Sequence, residues 1–326
     1  MNEIFDIHTP KNIADCKYNK PDAEISGNII QFDIIYLTEL FEKLRDFPDS
    51  RYVLIKGNCD IHCKATDIEI TKDGRPVVKR DKRDFRRHIP WPKSISPIEN
   101  QPWAQEDSND SHLISVFQLL SGNDNTRINY VNIPKNVCRI YASGIIENHE
   151  ILRHLPFGVA PKDWFPGQYD VAEACADKTH IDRDKFIYCS FKPETWKGRR
   201  PIYNFLSRQK DWITFEDGNI PYKDYFNRMK EHKLVICPRG NCVESYRMWE
   251  SLYLGCIPVV QNNVSNRHWA KYLPIILIDD WLTITPKLLD NAYENIESKR
   301  EQYKLEMLNK SWWENKIRNE LATNAI

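Results

Sequence analysis

Between Cys237 and Val260 the chain reads "CPRGNCVESYRMWESLYLGCIPVV", in which Glu244, Arg247 and Glu250 follow one another at intervals of three. On a helix this spacing spreads two carboxylates and a guanidinium over an arc of about 120°. A guanidinium binds a diphosphate through two N–H groups at once, and a carboxylate accepts hydrogen bonds from ribose hydroxyls. The same spacing suits an exposed ion-pair ladder, so position must decide. The apolar "KLVICP" just upstream reads as a strand running directly into Arg239, Gly240 and Asn241. In open parallel sheets ligands collect at the carboxyl ends of strands, where helix N-termini offer unpaired N–H groups to anions. That placement favours an anion site. Asn241 is the expected N-cap, Glu244 completes an imperfect capping box, and Gly255 closes a helix over about Cys242 to Leu254. The Lys-Ser/Thr pair of a Walker loop and the G-x-G-x-x-G spacing of a dinucleotide fold are both missing. A nucleotide sugar is the natural remaining ligand.

The flanking elements are regular. "KFIYCSF", "DWITF", "KLVICP", "CIPVV" and "PIILID" read as strands, separated by helical "RRPIYNFLSRQ", "YKDYFNRMKEH" and the helix already described. Strands alternating with helices on short connections predict a parallel, doubly wound, Rossmann-like sheet. The first half holds a helix at "YLTELFEKLRDF", a strand at "RYVLIKG", a helix at "HLISVFQLLS" and strands within "NVCRIYAS" and "EILRHLPFG". Residues 71–109, with little apolar periodicity, read as an insertion. The Pro- and Gly-rich stretch over residues 155–170 is the expected linker. The reading is α/β, with a first domain over 1–160, a second, Rossmann-like domain over 161–295, and a long helical tail over 296–326 that packs back on the first domain.

Composition limits the partners. Lys plus Arg and Asp plus Glu number 46 each in 326 residues, so net charge favours neither nucleic acid nor an anionic membrane, and anion binding must be local. The nine cysteines are odd in number and scattered. Several lie in apolar strands, where cysteine acts as a small hydrophobe, which suggests a reducing compartment. No leader-like segment opens the sequence and no run approaches the ~18 apolar residues of a membrane span. A cytoplasmic location is therefore expected. His62 between Cys59 and Cys63 lacks the four-ligand spacing of a zinc site. Asp182-Arg183-Asp184 stands at the amino end of a predicted strand, which does not suit a metal-diphosphate site, so no metal and no cofactor are expected.

The Cys237–Val260 stretch closely resembles the signature of exostosin-like glycosyltransferases (glycosyltransferase family 47-like), roughly C-P-x-G-N-G-x-(D/E)-x-x-R-x-W-E-A-L-x-x-G-x-I-P-(V/I)-V. "FKPETWKGRRPIYNFLSRQKDWITF", "LPIILIDDWLTIT", "YVLIKGNCDIHC" and "VCRIYASGIIENHEILRHLPFGVAP" look like further landmarks of that family, so the resemblance covers most of Arg51 to Thr285. It implies a GT-B fold, two Rossmann-like domains facing across a cleft, with the acceptor approached by the first (1–160) and the nucleotide-sugar donor held mainly by the second (161–295). It also implies an inverting, metal-independent transfer of a sugar from a UDP- or GDP-linked donor to a hydroxyl of a growing glycan. The donor-binding residues it implies are Arg199, Arg239, Gly240, Asn241, Glu244, Ser245, Arg247 and Glu250. Cys242 departs from the glycine that the family prefers after the asparagine.

An inverting transfer needs a base for the acceptor hydroxyl and positive charge for the leaving diphosphate. By the resemblance Asp60 is the candidate base. His62 is the second candidate, on the match of imidazole to proton transfer near neutrality. The basic "VKRDKRDFRRHIPWPKSISP", with Phe85 and Trp91 interleaved, reads as a solvated loop or as a contact for an anionic acceptor. A retaining GT-B transferase, or a non-catalytic glycan- or polyanion-binding protein built on this basic stretch, are the alternatives.

Overall fold

The computed structural model describes residues 4–5, 9–20, 23–32, 37–56, 68–70, 76–78, 113–114, 131–132, 134–145, 151–160, 183–196, 198–240 and 242–323. The chain divides into two compact units. One holds His8–Leu155 with Glu314–Ile326, and the other holds Met1–Ile7 with Pro156–Trp313.

The first unit contains α1 (Thr9–Ile13), β1 (Cys16–Tyr18), β2 (Ile29–Phe32), α2 (Leu37–Arg45), β3 (Tyr52–Lys56), β4 (Ile68–Ile70), β5 (Pro76–Val78), β6 (Leu113–Ile114), β7 (Val131–Asn132), β8 (Val137–Ala142) and β9 (Leu152–His154). Its main sheet has the order β1-β2-β3-β8-β9, and every neighbouring pair is parallel. Strand β3, "YVLIK", is buried along its whole length, which explains why it reads as a continuous apolar run rather than an alternation. Leu40, Phe41 and Leu44 of α2 pack with Ile30, Phe32, Leu54 and Ile140 of the sheet. Two small antiparallel pairs, β4 with β5 and β6 with β7, accompany the sheet. Strand β6 takes Leu113 and Ile114 out of the helix expected at "HLISVFQLLS". A short apolar run is compatible with either element, and here pairing with β7 decides.

The second unit contains β10 (Lys185–Ser190), α3 (Arg199–Leu206), β11 (Thr214–Glu216), α4 (Tyr222–Lys230), β12 (His232–Ile236), α5 (Tyr246–Tyr253), β13 (Ile257–Gln261), α6 (Val264–Ala270), β14 (Ile276–Ile278) and α7 (Pro286–Glu297). Its sheet is again five-stranded and parallel, in the order β11-β10-β12-β13-β14. Ile187, Leu234, Ile236, Val259 and Ile276 of the strands meet Ile202 and Leu206 of α3 and Leu289 of α7 in one apolar cluster. The chain is thus α/β with two parallel sheets, as its alternating pattern predicts. The second unit's five strands lie at or overlapping the runs that the sequence marks, and α3 and α4 lie where it places them, whereas α6, between β13 and β14, is a helix the sequence reading does not include.

The tail is not one helix. After α7 the chain makes two 3-10 turns, Arg300–Gln302 and Leu305–Leu308, before α8 (Lys310–Thr323). The break coincides with two tertiary hydrogen bonds. The Lys304 N–H donates to the Tyr272 carbonyl at 2.8 Å, and Tyr253 Oη donates to the Leu308 carbonyl at 2.5 Å. Both partners lie outside the helical ladder and draw the backbone from it. The end of α8 belongs to the first unit. There Glu320 meets Arg139 at 3.3 Å and accepts from Tyr141 Oη at 3.2 Å, while Arg318 reaches Asp15 at 3.3 Å.

Candidate functional site

The signature helix begins later than its sequence suggests. Helix α5 starts at Tyr246, and its N-cap is Ser245, whose backbone is extended at φ −132° and whose Oγ accepts from Met248 N at 3.4 Å. Residues 242–245 stay outside the helix, so Glu244 cannot close a capping box. Its carboxylate is committed elsewhere. Oε2 accepts from the Trp249 indole at 3.0 Å and from Phe157 N at 3.2 Å, and Oε1 accepts from Ser265 Oγ at 2.6 Å. Glu244 is 1% exposed. It is a buried tie between the start of α5, the start of α6 and residue 157. The tie also orients aromatics: Trp249 meets Trp269 edge-on at 4.9 Å, and Tyr246 stacks on Phe157 at 4.4 Å.

The C-terminal end of α5 follows expectation. Gly255 has φ +76°, its N–H donates to Leu252 O, and Cys256 N–H donates to Ser251 O, which together form a Schellman stop. A side chain would be strained at this φ, and a Cβ would sit 3.0 Å from Arg183 Nη2. Arg183 itself donates to the Leu254 carbonyl at 2.6 Å, so the middle residue of Asp182-Arg183-Asp184 caps this helix.

Arg199, from the start of α3, is 5% exposed and spends its guanidinium on the backbone. Nε donates to Arg239 O at 2.6 Å, Nη2 to Pro238 O at 2.9 Å and Nη1 to Lys192 O at 3.1 Å. It therefore clamps the turn after β12 to the loop after β10. Burial, with the nearby Arg247 charge adding to it, pushes its pKa down to about 9, so the group stays charged at neutral pH. Gly240 belongs to the same turn, and a Cβ there would meet Arg199 Nη2 at 3.5 Å. Arg239 lays its guanidinium over the Trp196 ring at 4.8 Å.

Arg247 and Glu250 differ from Glu244. The half-buried Arg247 side chain has no hydrogen-bond or ion-pair partner among the described residues, and its guanidinium lies over the Tyr225 ring at 5.7 Å. Burial alone would lower its pKa, but Tyr225, Cys237, Glu250 and Tyr222 outweigh burial and hold it above the usual arginine range. Glu250 is 2% exposed. Its Oε1 accepts from Tyr222 Oη at 3.3 Å and its Oε2 from Tyr225 Oη at 3.4 Å. Burial pushes its pKa up to about 7, against the opposing pull of Arg247 and the two hydroxyls. The ion-pair ladder is therefore not present: Glu244 faces inward, and neither glutamate is in ion-pair contact with Arg247.

The structure thus brings Arg199, Arg239, Gly240, Arg247 and Glu250 to the loops and helix that follow β10 and β12, with Ser245 and Glu244 as supports. Asn241, Asp60 and His62 lie outside the described residues, as do Cys59 and Cys63. Among the described residues no cluster of metal-ligating side chains occurs, and no helix is long and apolar enough to cross a membrane. Sequence reading missed Tyr222 and Tyr225. Their i, i+3 spacing at the start of α4 looks like an ordinary packing face, and only the fold sets them beside Glu250.

The second unit is an open parallel sheet with a charged turn and helix after its central strands, the place where α/β domains collect their ligands. Comparison with known proteins narrows the class. A family model described as "RXYLT1 C-terminal domain" matches residues 200–326. Ribitol-5-phosphate xylosyltransferase 1 of Mus musculus is 27% identical over 177 residues, covering 46% of this chain and 38% of that protein. The Homo sapiens protein of the same name is 25% identical over 193 residues, covering 51% and 42%. The Danio rerio protein is 23% identical over 231 residues, covering 61% and 51%. The chain thus spans only 38% to 51% of the length of these relatives. They are glycosyltransferases by name, and the resemblance read from the signature stretch and these low-identity matches agree at that level.

Proposed function

We propose that the protein is a glycosyltransferase that moves a sugar, of the pentose class, from a nucleotide-diphosphate donor to a hydroxyl of a growing glycan, with inversion and without a metal. The observation that carries this reading is Arg247: a cation after the central strands of a parallel sheet, whose guanidinium has no hydrogen-bond partner among the described residues, beside a turn that Arg199 clamps through three backbone carbonyls. Such a cation is available to a diphosphate, and positive charge at a leaving diphosphate is what glycosyl transfer requires. The names of the relatives extend the reading to a xylosyl donor and a polyol-phosphate acceptor. The basic "VKRDKRDFRRH" stretch suits an anionic acceptor of that kind. In this reading Asp60 takes the proton of the acceptor hydroxyl, with His62 as the other base, and Asn241 adds to the donor-binding turn.

The test is a donor panel containing UDP- and GDP-linked hexoses and pentoses, UDP-xylose included, with nucleotide release measured on the wild type and on Arg247→Ala. One donor is hydrolysed by the wild type, and Arg247→Ala lowers the rate by about a hundredfold. A wild-type rate retained in Arg247→Ala rules out this donor site. The anomeric configuration of the product, read by NMR, separates inversion from retention.

A further inference from the structure

Tyr222 and Tyr225 lie outside the signature stretch, yet both hydroxyls converge on one buried carboxyl. Tyr225 also presents its ring face to Arg247 at 5.7 Å, inside the range of a cation–π contact. Its hydroxyl reaches Glu250 Oε2 at 3.4 Å, and Tyr222 reaches Oε1 at 3.3 Å. Direct pairing of Arg247 with Glu250 would consume the N–H groups that an anion needs, and an incoming diphosphate would have to break that pair. The tyrosine hydroxyls hold the carboxyl out of such contact.

We propose that Tyr222 and Tyr225 are positioning residues of the anion site, keeping the Arg247 guanidinium open through the Tyr225 ring face and through the Glu250 carboxyl that both hydroxyls hold. The proposal rests on the reading of Arg247 as the diphosphate ligand. It has a consequence beyond geometry. The groups facing Glu250 are Tyr222 and Tyr225 from α4, Arg247 from its own helix, and the Cys237 thiol that follows β12. Among these Arg247 is the cation that favours the ionised carboxyl. A diphosphate on Arg247 neutralises that cation and adds negative charge, so the carboxyl gains affinity for a proton. Anion binding is then accompanied by proton uptake on Glu250, and affinity falls as pH rises through its titration, by up to about tenfold per pH unit.

The experiment is isothermal titration calorimetry on the full chain between pH 6 and 8.5, in two buffers of different ionisation enthalpy, with UDP, GDP and inorganic pyrophosphate as probes. The wild type is expected to take up protons on binding. Glu250→Gln is expected to bind without uptake, so the wild-type affinity divided by that of Glu250→Gln falls with pH; the quotient cancels titration of the probe. Tyr225→Phe keeps the ring but removes a hydroxyl that favours the ionised carboxyl, so its fall moves to higher pH. A purely structural role for Tyr225 would instead lower affinity equally at every pH. Tyr225→Leu removes the ring and weakens binding about fivefold throughout; should it not fold, the two near-isosteric variants still decide. Equal pH dependence in the wild type and Glu250→Gln, with Arg247→Ala unable to bind, overturns this inference and leaves the donor site standing. Binding of the probes by Arg247→Ala as tightly as by the wild type, or no binding of any probe by the wild type, overturns both.

Discussion

Replacing Arg199 with lysine separates two roles that a basic residue can play near a diphosphate. Its guanidinium donates to the carbonyls of Lys192, Pro238 and Arg239 at 3.1, 2.9 and 2.6 Å. A lysine ammonium keeps the charge but is a point donor on a flexible stem, and reaches at most one of these carbonyls well. Hydrogen bonds from charged donors contribute about 1.5–3 kcal/mol each. Loss of two, with water partly replacing them, costs about 3 kcal/mol in the stability of the turn. That corresponds to a roughly hundredfold faster local opening. The reporter is the Cys237 amide, which donates to Val259 O at 2.8 Å beside the clamped carbonyls, and the assay is native-state hydrogen exchange. In Arg199→Lys this amide is expected to exchange roughly a hundredfold faster, with UDP or GDP affinity falling alongside. Unchanged exchange with lost nucleotide binding would refute the clamp and return Arg199 to direct contact with phosphate.

Glu244→Ala strands the Trp249 indole N–H, Ser265 hydroxyl and Phe157 amide that its carboxylate accepts from, and should destabilise the protein by about 3–5 kcal/mol. Urea denaturation followed by tryptophan fluorescence measures this, and a change under about 1 kcal/mol would contradict the network. Glu250 titrates near 7 in the folded chain against an ordinary value of 4.5. The folded state therefore holds a proton that the unfolded state releases between these values. Stability is lost as pH rises across that window, by up to about 3 kcal/mol, and the full penalty remains above it. Glu250→Gln should remove this slope, so a variant with the wild-type dependence of urea midpoint on pH would count against the assignment.

Much of the second unit was legible in the sequence because its strands are continuous apolar runs and its helices carry the 3.6-residue period. Gly255 was legible as a helix stop because only a residue tolerant of positive φ fits there. The start of α5 was not, because Asn241 and Ser245 are both good caps, and local chemistry does not rank them. Glu244 decides: its carboxylate is drawn to Trp249, Ser265 and Phe157, which keeps residues 242–245 out of the helix. The tail misled for a related reason, since its helical composition says nothing of the Tyr253 and Tyr272 groups that interrupt it.

The sequence by itself determined the alternation that makes a parallel sheet, and the strand after which charge accumulates, because periodicity and turn residues act within a few positions along the chain. Only the tertiary structure decided what each charge does. Glu244 to Ser265, Arg199 to Arg239 and Glu250 to Tyr225 span 21, 40 and 25 positions. Contacts at such separations exist only after the crossover helices have brought the strand ends together. Spacing made Glu244, Arg247 and Glu250 look alike. Burial made the first a structural tie, left the guanidinium of the second without a hydrogen-bond partner among the described residues, and made the third a carboxyl poised near neutrality.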